Sequence, residues 1–576
     1  MLKRTFTILS LASILLIGCG NTQSKQERES TSDQMIKVDQ IGYKTHSVKI
    51  AVVPENQSDD FEIIDVKSQK TVYKGKLSQT KEWEYSKTKV KLADFSDFST
   101  EGIYVLKSSG VQNSYPFAIG NEIYDKLAFD AMKSYYFARC SQEIKPEYGG
   151  KYARPKAHPD DKIKIHASAK GPKKKEGDIV SSPGGWYDAG DYNKYVVNSS
   201  ITMWEILNTI ELFPDFCKKL SLNIPESKNN LPDILDELLV NLRWYLTMQD
   251  KDDGGVYHKL TALGFNGMIM PEDDKDERYM IKKSTTAALD FAAVCAKAYR
   301  VLEAYKTELP GLQDSLKQAA LSAWKWAEKN PQVLYDKNPE GVFTGMYNDT
   351  EIRDEFTWAA LEMVLLTKDK TYLKNIKKED FAFKVPAWDS TSCLGIASVL
   401  NHKQNKELFD EDFYTFFKDG FMKLSEKLLK DYENSAYATP LTVFPWGSNS
   451  VAANDGLILL TAYKETGIIK YIEAAEACLH YILGRNPLDY CYVTGHGSNP
   501  VKHVHDRRTV ADGIDDPVPG YLCGGPYEKA GGDVPDSLYK FNTPAMRYVD
   551  SHSSYTTNEI AINWNSALVF LVYALR

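Results

Sequence analysis

At 576 residues the chain is longer than one hydrophobic core usually serves, so two or more domains of unequal size are expected. A net charge of -8, with 70 Lys and Arg interspersed among 78 Asp and Glu, argues against nucleic acid, whose binding needs a concentrated basic face. The 35 Tyr and 10 Trp suit faces that stack on sugar rings, but aromatic residues bury equally well in a core, so composition alone does not choose.

Lys3 and Arg4 precede an apolar run at residues 6–17 that is too short to span a bilayer, and the pattern predicts a signal peptide over residues 1–19. Leu16, Ile17, Gly18 and Cys19 stand in the order of a bacterial lipobox, in which Cys19 is acylated and becomes the first mature residue. An ordinary secretory signal or an uncleaved anchor would carry a similar stretch. Residues 20–34, rich in Ser, Thr, Gln and Glu, cannot collapse into a core and are expected to form a flexible tether. Gly20 and Asn21 supply no aspartate retention signal, so the expected location is the outer membrane or cell surface of a Gram-negative bacterium, reached through the lipid on Cys19. The seven remaining cysteines lack C-x-x-C spacing and are odd in number, so no disulfide framework is expected.

Residues 35–120 show short alternating apolar runs, as at 48–53, 61–64 and 103–106, separated by polar turns. The pattern predicts a small immunoglobulin-like β-sandwich, in which Trp83 and Tyr85 have core or edge roles ahead of a small sugar platform. After Gly120 the texture becomes helical: Leu127, Ala131, Tyr135 and Ala138 share one face, and the helical character persists through residues 121–576. About twelve helical segments are expected, starting near residues 123, 197, 231, 285, 312, 354, 371, 391, 412, 452, 469 and 559. Paired around a centre they would make an all-α (α/α)6 barrel, although counting alone also permits a solenoid of helical hairpins. Long Gly-, Asp- and Pro-rich loops at 147–195, 252–284 and 485–558 interrupt them, and connections of that length are usually functional.

Three constellations carry chemistry. The run from Gly184 through Trp186, Tyr187 and Asp188 to Asp191 places two carboxylates three positions apart on a glycine-rich loop. One could hold a water while the other deprotonates it, or the loop could bind calcium or close an Asx turn. Thr556 and Glu559 fit a capping box at the head of an apolar helix, where the helix dipole would lower the pKa of a carboxyl that a general acid needs protonated. His503 and His505 at i and i+2 point to one side of an extended segment, suiting a metal or sugar hydroxyls, with the planar fork of Arg507 nearby.

On these residues the chain resembles glycoside hydrolase family nine, the inverting cellulases with an N-terminal immunoglobulin-like module, over residues 35–576. Val493, Thr494, Gly497, Asn499, Val504, His505 and Arg507 fall on that family's histidine signature, departing at Cys491. Tyr548, Asp550, Tyr555, Glu559, Ala561, Asn565 and Ser566 fit its glutamate signature, and Asp39 to Tyr43 resembles a strand motif of the accessory module. The resemblance implies that Asp191 is the general base, Asp188 helps to hold the water and Glu559 is the proton donor. It also implies that His505 and Arg507 contact sugar, with Asp550 and Tyr555 supporting the pocket and Trp186 or Tyr187 shaping it. Relatives often bind zinc through a Cys near Cys140 and a His-x-x-Cys-His stretch; here Arg154 and Ala157 replace two presumed ligands, so no zinc is expected, and His158 either faces substrate or lies on the surface. No cofactor is required, and the calcium common in the family has no ligand set that the sequence places.

The expected reaction is hydrolysis of internal β-1,4-glucosidic bonds in cellulose, xyloglucan or mixed-linkage glucan by a monomer, with inversion, which needs carboxyls roughly 6.5 to 9.5 Å apart. Three rivals stand beside it: a surface glycan-binding lipoprotein without catalysis, an exo-acting glucosaminidase or glucosidase of the same family, and a metal-dependent hydrolase built on His503 and His505.

Overall fold

The computed structural model describes residues 34–576 apart from 375, 379 and 380; Cys19 and the expected leader and tether up to residue 33 lie outside the described residues. Eight strands occupy the N-terminal part: β1 Gly42–Tyr43, β2 Ile50–Pro54, β3 Asp60–Asp65, β4 Thr71–Lys76, β5 Lys81–Trp83, β6 Thr88–Asp94, β7 Gly102–Lys107 and β8 Phe117–Ile119. They form one sheet in the order β1-β8-β7-β3-β4 and a second in the order β2-β6-β5. Alternation sets which side is buried: Phe61 and Ile63 of β3 join Tyr104 and Leu106 of β7 in a core between the sheets, while Glu62 stays partly exposed. Gly42 lies at φ 143°, and a Cβ there would come within 2.1 Å of the Ala118 carbonyl oxygen across the β1–β8 pair.

This sandwich is bonded to the helical part. Trp83 is 4% exposed and its ring lies 4.7 Å from that of Tyr437, so it packs between the two parts and offers no sugar platform. The Asp39 carboxylate meets His480 Nδ1 at 2.8 Å and accepts from the Tyr124 hydroxyl at 3.1 Å. Gln40 accepts from the amides of Ser498 and Asn499 and donates to the Asp489 carbonyl, which ties the β-module to the segment leading into His505.

Among the described residues eleven helices run nine residues or longer: α1 Asp125–Ala138, α2 Val196–Leu212, α3 Asp233–Thr247, α4 Thr285–Val301, α5 Leu312–Lys329, α6 Arg353–Thr367, α7 Ser392–Leu400, α8 Glu411–Asn434, α9 Ser448–Thr466, α10 Ile469–Ile482 and α11 Ile562–Leu575. Two burial patterns separate them. Helices α2, α4 and α11 are buried almost all round, whereas α5 and α8 bury one stripe, such as Phe417, Phe421 and Leu428 of α8. The first kind pack on one another: α2 on α4, α4 on α6, α6 on α7, α7 on α9, α9 on α11, and α11 back on α2. The others back them, with α1 on α11, α3 on α2, α5 on α4, α8 on α7 and α9, and α10 on α9. The helix expected near Thr371 is a single 3-10 turn, Lys370–Leu373, packed on α6. Its apolar spacing through Leu373 and Ile376 fails where Glu379 and Asp380 stand.

Two of the long loops are structured against each other. Their strands β9 Ile163–Ile165, β10 Ile179–Val180, β11 Lys194–Tyr195, β12 Lys259–Thr261 and β13 Tyr279–Met280 form a five-stranded sheet in the order β10-β9-β13-β12-β11. It leads straight into α2 and fixes the segment immediately after Asp191.

Candidate active site

Asp188 and Asp191 sit on a loop held from both sides. Asp188 is buried; its Oδ1 accepts from Asn198 Nδ2 at 2.8 Å, its Oδ2 from the Tyr347 hydroxyl at 2.6 Å, and its carbonyl from the amide of Ile562 at the head of α11. Asp191 Oδ2 accepts from Asn193 Nδ2 at 2.5 Å and from the Tyr195 hydroxyl at 3.0 Å. Between them Gly190 is forced by close approach: a Cβ would stand 2.3 Å from the His505 carbonyl oxygen. That approach lets the Arg507 amide and Nη1 reach the Gly190 carbonyl at 3.2 and 2.6 Å. Burial first, and then the charge of Asp191, push the Asp188 carboxyl up to about 8.

Glu559 reaches the same place from the far end of the chain. It does not cap a long helix. Tyr555–Asn558 is one helical turn, Glu559 is extended at φ -68° and ψ 158°, and α11 starts only at Ile562. Thr556 gives its hydroxyl to Asp533, so the expected capping box is not formed. Instead Glu559 forms a parallel bridge with His505, whose amide donates to the Asn558 carbonyl at 2.8 Å, while the Glu559 carbonyl accepts from the Gly524 amide. Freed from a helix N-terminus, the Glu559 carboxyl is held well above the usual carboxylate range by burial and then by repulsion from Asp191 and Asp188, with Arg507 opposing. The His505 ring gives Nδ1–H to the His552 carbonyl at 2.6 Å, and burial lowers its pKa, leaving a neutral imidazole whose Nε2 carries the lone pair.

Comparisons with known proteins identify the family. Residues 124–572 match the profile of glycosyl hydrolase family 9, and residues 31–113 that of the cellulase N-terminal ig-like domain. The chain belongs to glycosyl hydrolase family 9. It is 39% identical to the xyloglucan-specific endo-beta-1,4-glucanase BoGH9A of Bacteroides ovatus over 99% of this chain and 98% of that protein. It is 34% identical to endoglucanase D of Acetivibrio thermocellus over 93% of this chain and 83% of that one. The solved Bacteroides ovatus GH9 structure superposes with a TM-score of 0.87 at 38% identity, covering 95% of this chain and 99% of that chain. The chain is therefore a family 9 glycoside hydrolase.

The candidate site gathers some of the expected residues and turns others away. The Asp550 carboxylate accepts from the amides of Lys502 and His503 and from Asn558 Nδ2, fixing the bonded neighbour of Glu559. Arg507 spends Nη1 and Nε on the carbonyls of Gly190 and Asn266, so it clamps the Asp191 loop and sets a positive charge beside Glu559. Tyr555 is 39% exposed, and its ring lies 5.7 Å from Trp446 and 5.9 Å from His505, a wall for a flat sugar face. Trp186, expected to shape the pocket, is fully buried with Nε1 on Glu237 at 2.9 Å. Tyr187 and His158, also expected at substrate, are buried against each other at 2.7 Å, with His158 Nε2 on Asp274 at 3.1 Å. Packing against α1 and α3 turns that half of the motif inward.

Sequence reasoning missed Tyr195 and Asn198, which follow Asp191 in the same motif, and Tyr347, which comes from another loop without local signal. It also missed Lys259, which donates to Asn338, Thr344 and the Gly345 carbonyl and is lowered to about 7 by burial, with the charge of Asp191 opposing. Among the described residues no three His, Cys, Asp or Glu side chains converge to ligate a metal, and His503 packs on His552 away from any such set. The carboxyls of Asp290, Asp349, Asp354 and Glu355 lie near one another, and burial first, with neighbouring carboxylates second, raises all four.

Proposed function

We propose that the chain is an exported endo-β-1,4-glucanase that cuts xyloglucan with inversion of configuration. The observation that carries it is two carboxyls in unlike surroundings at one place: Glu559, raised by burial and by its aspartate neighbours, and Asp191, which accepts from two hydrogen-bond donors. In this reading Asp191 takes a proton from a water that Asp188 orients, while Glu559 protonates the departing glycosidic oxygen. Neutral His505 presents Nε2 to the sugar, Tyr555 and Trp446 stack on it, and Asp550 and Arg507 hold the two halves of the site in register. The six mutually packed helices and their backing helices support an (α/α)6 barrel, whose closure explains how positions 368 apart in sequence meet. Xyloglucan is favoured over linear glucans by the specificity named for the Bacteroides ovatus relative, with which this chain aligns nearly end to end.

The test is reducing-end release and product profiling on xyloglucan, cellulose derivatives and mixed-linkage glucan, with the anomer followed by proton NMR. Expected are oligosaccharides from the first minutes, an α-anomeric product, fastest turnover on xyloglucan and a loss of about three orders of magnitude in Glu559→Gln. A dominant monosaccharide would overturn the endo assignment, and a β-anomeric product the inversion. Membrane attachment through Cys19 is tested by Cys19→Ala, expected to move the enzyme to the soluble fraction; unchanged fractionation would refute it.

A further inference from the structure

Zinc, which the family resemblance implies near Cys140, does not fit the residues at that place. Arg154 turns its guanidinium onto the carbonyls of Arg139 at 2.6 Å and Phe137 at 3.3 Å. Ala157 offers no donor atom, and both ring nitrogens of His158 are engaged, by Tyr187 and Asp274. The Cys140 thiol lies 3.5 Å from Asp160 Oδ2. An ion cluster stands there instead: the buried Asp160 carboxylate pairs with Lys194 Nζ at 2.7 Å and with Arg278 Nε at 2.9 Å, and both cations are buried too.

Every arm of the cluster ends on the loop that carries Asp188 and Asp191. Lys194 donates back to the carbonyls of Gly184 at 2.8 Å and Ser182 at 3.2 Å, closing the loop across its own base. Arg278 Nη1 donates to the Tyr192 carbonyl at 2.7 Å, one residue after Asp191. The Asp160 carbonyl accepts from the Ser182 amide at 2.8 Å. Asp160 also sits at φ 49°, a left-handed conformation that a non-glycine residue adopts at a cost, held where its carboxylate can meet both cations. We propose that Asp160 is a positioning residue for Asp188 and Asp191, forming with Lys194 and Arg278 a metal-free staple behind the catalytic loop. The proposal rests on the reading of Asp191 as base; hydrolysis by Asp191→Asn checks that reading separately, so the two can fail apart.

Asp160→Asn keeps the shape but leaves two buried cations without their shared counterion. The two cations would repel each other and loosen the loop. Expected is a fall in kcat of roughly ten- to a hundredfold with KM nearly unchanged, since small displacements of reacting groups act at that scale. Asp160→Glu should recover part of the loss. Metal analysis of the purified enzyme should find no stoichiometric zinc, and chelation at this place should leave kcat as it was. If Asp160→Asn does not accumulate folded, Arg278→Gln, which removes one cation, should show the same kcat-against-KM split. One zinc per chain whose removal lowers kcat would overturn the proposal. So would variants that lower only the melting temperature while kcat at 25 °C matches the parent.

Discussion

Asp188→Asn should make the enzyme more stable and nearly inactive at once, and the gain should depend on pH in a defined sense. In the folded protein the Asp188 carboxyl is pushed up to about 8, while an unfolded chain returns it to an ordinary aspartate value. The folded state therefore binds more protons than the unfolded one. Stability contributed by this group is fully present below the unfolded value near pH 4 and is lost as pH rises toward the folded value near 8. By linkage the loss at pH 7 is about 4 kcal/mol, an upper figure because Asp188 and Asp191 titrate together. Asparagine removes the titration but must turn its amide toward Asn198 or Tyr347, which costs about 1 kcal/mol for a strained hydrogen bond. A net gain of up to about 3 kcal/mol near neutrality would raise the melting temperature by a few degrees in a chain of this size. Differential scanning fluorimetry of both proteins from pH 4 to pH 8, at one scan rate, reads this directly: the variant should melt slightly below the parent at the acid end, and its curve should cross and rise steadily above the parent's as pH increases. A variant melting below the parent at pH 8, or a gap of equal size at every pH, would show that the Asp188 environment does not raise its proton affinity.

Other perturbations address separate parts of the site. Glu559→Gln should lower kcat on polysaccharide by about three orders of magnitude while sparing substrates with an acidic leaving group, because only a poor leaving group needs the proton. Since Glu559 is raised by burial and by the two aspartates, the alkaline limb of kcat/KM should lie well above the usual carboxylate range; a limb inside that range would contradict the protonated acid. Trp446→Ala should raise KM for oligosaccharides about tenfold with a smaller change in kcat, as expected for loss of about 1.4 kcal/mol of stacking.

How much of this was legible in the sequence depended on whether a residue's surroundings come from its chain neighbours. The strands at 50–54 and 60–65 follow from alternation, and most helix starts follow from apolar spacing, because both periods are local. The pairing of the loops at 147–195 and 252–284 into one sheet was not legible: its strands are two or three residues long and their partners lie far away. The same distinction runs through the site. In the run at 184–191 the composition marks all the residues equally, yet α1 and α3 bury Trp186 while Gly190, pressed against the His505 strand, sets Asp191 beside the segment that carries His505 and Arg507. Glu559 shows the consequence for chemistry. Its neighbours Thr556 and Asn558 spell a helix start, which would lower its pKa; strand-like pairing with His505 and Gly524 overrides that preference and moves α11 three residues on. The carboxyl is then surrounded by aspartates instead of helix amides. A local signal read correctly would have made Glu559 a poor acid, and the long-range contact that overrules it is what fits the residue for proton donation.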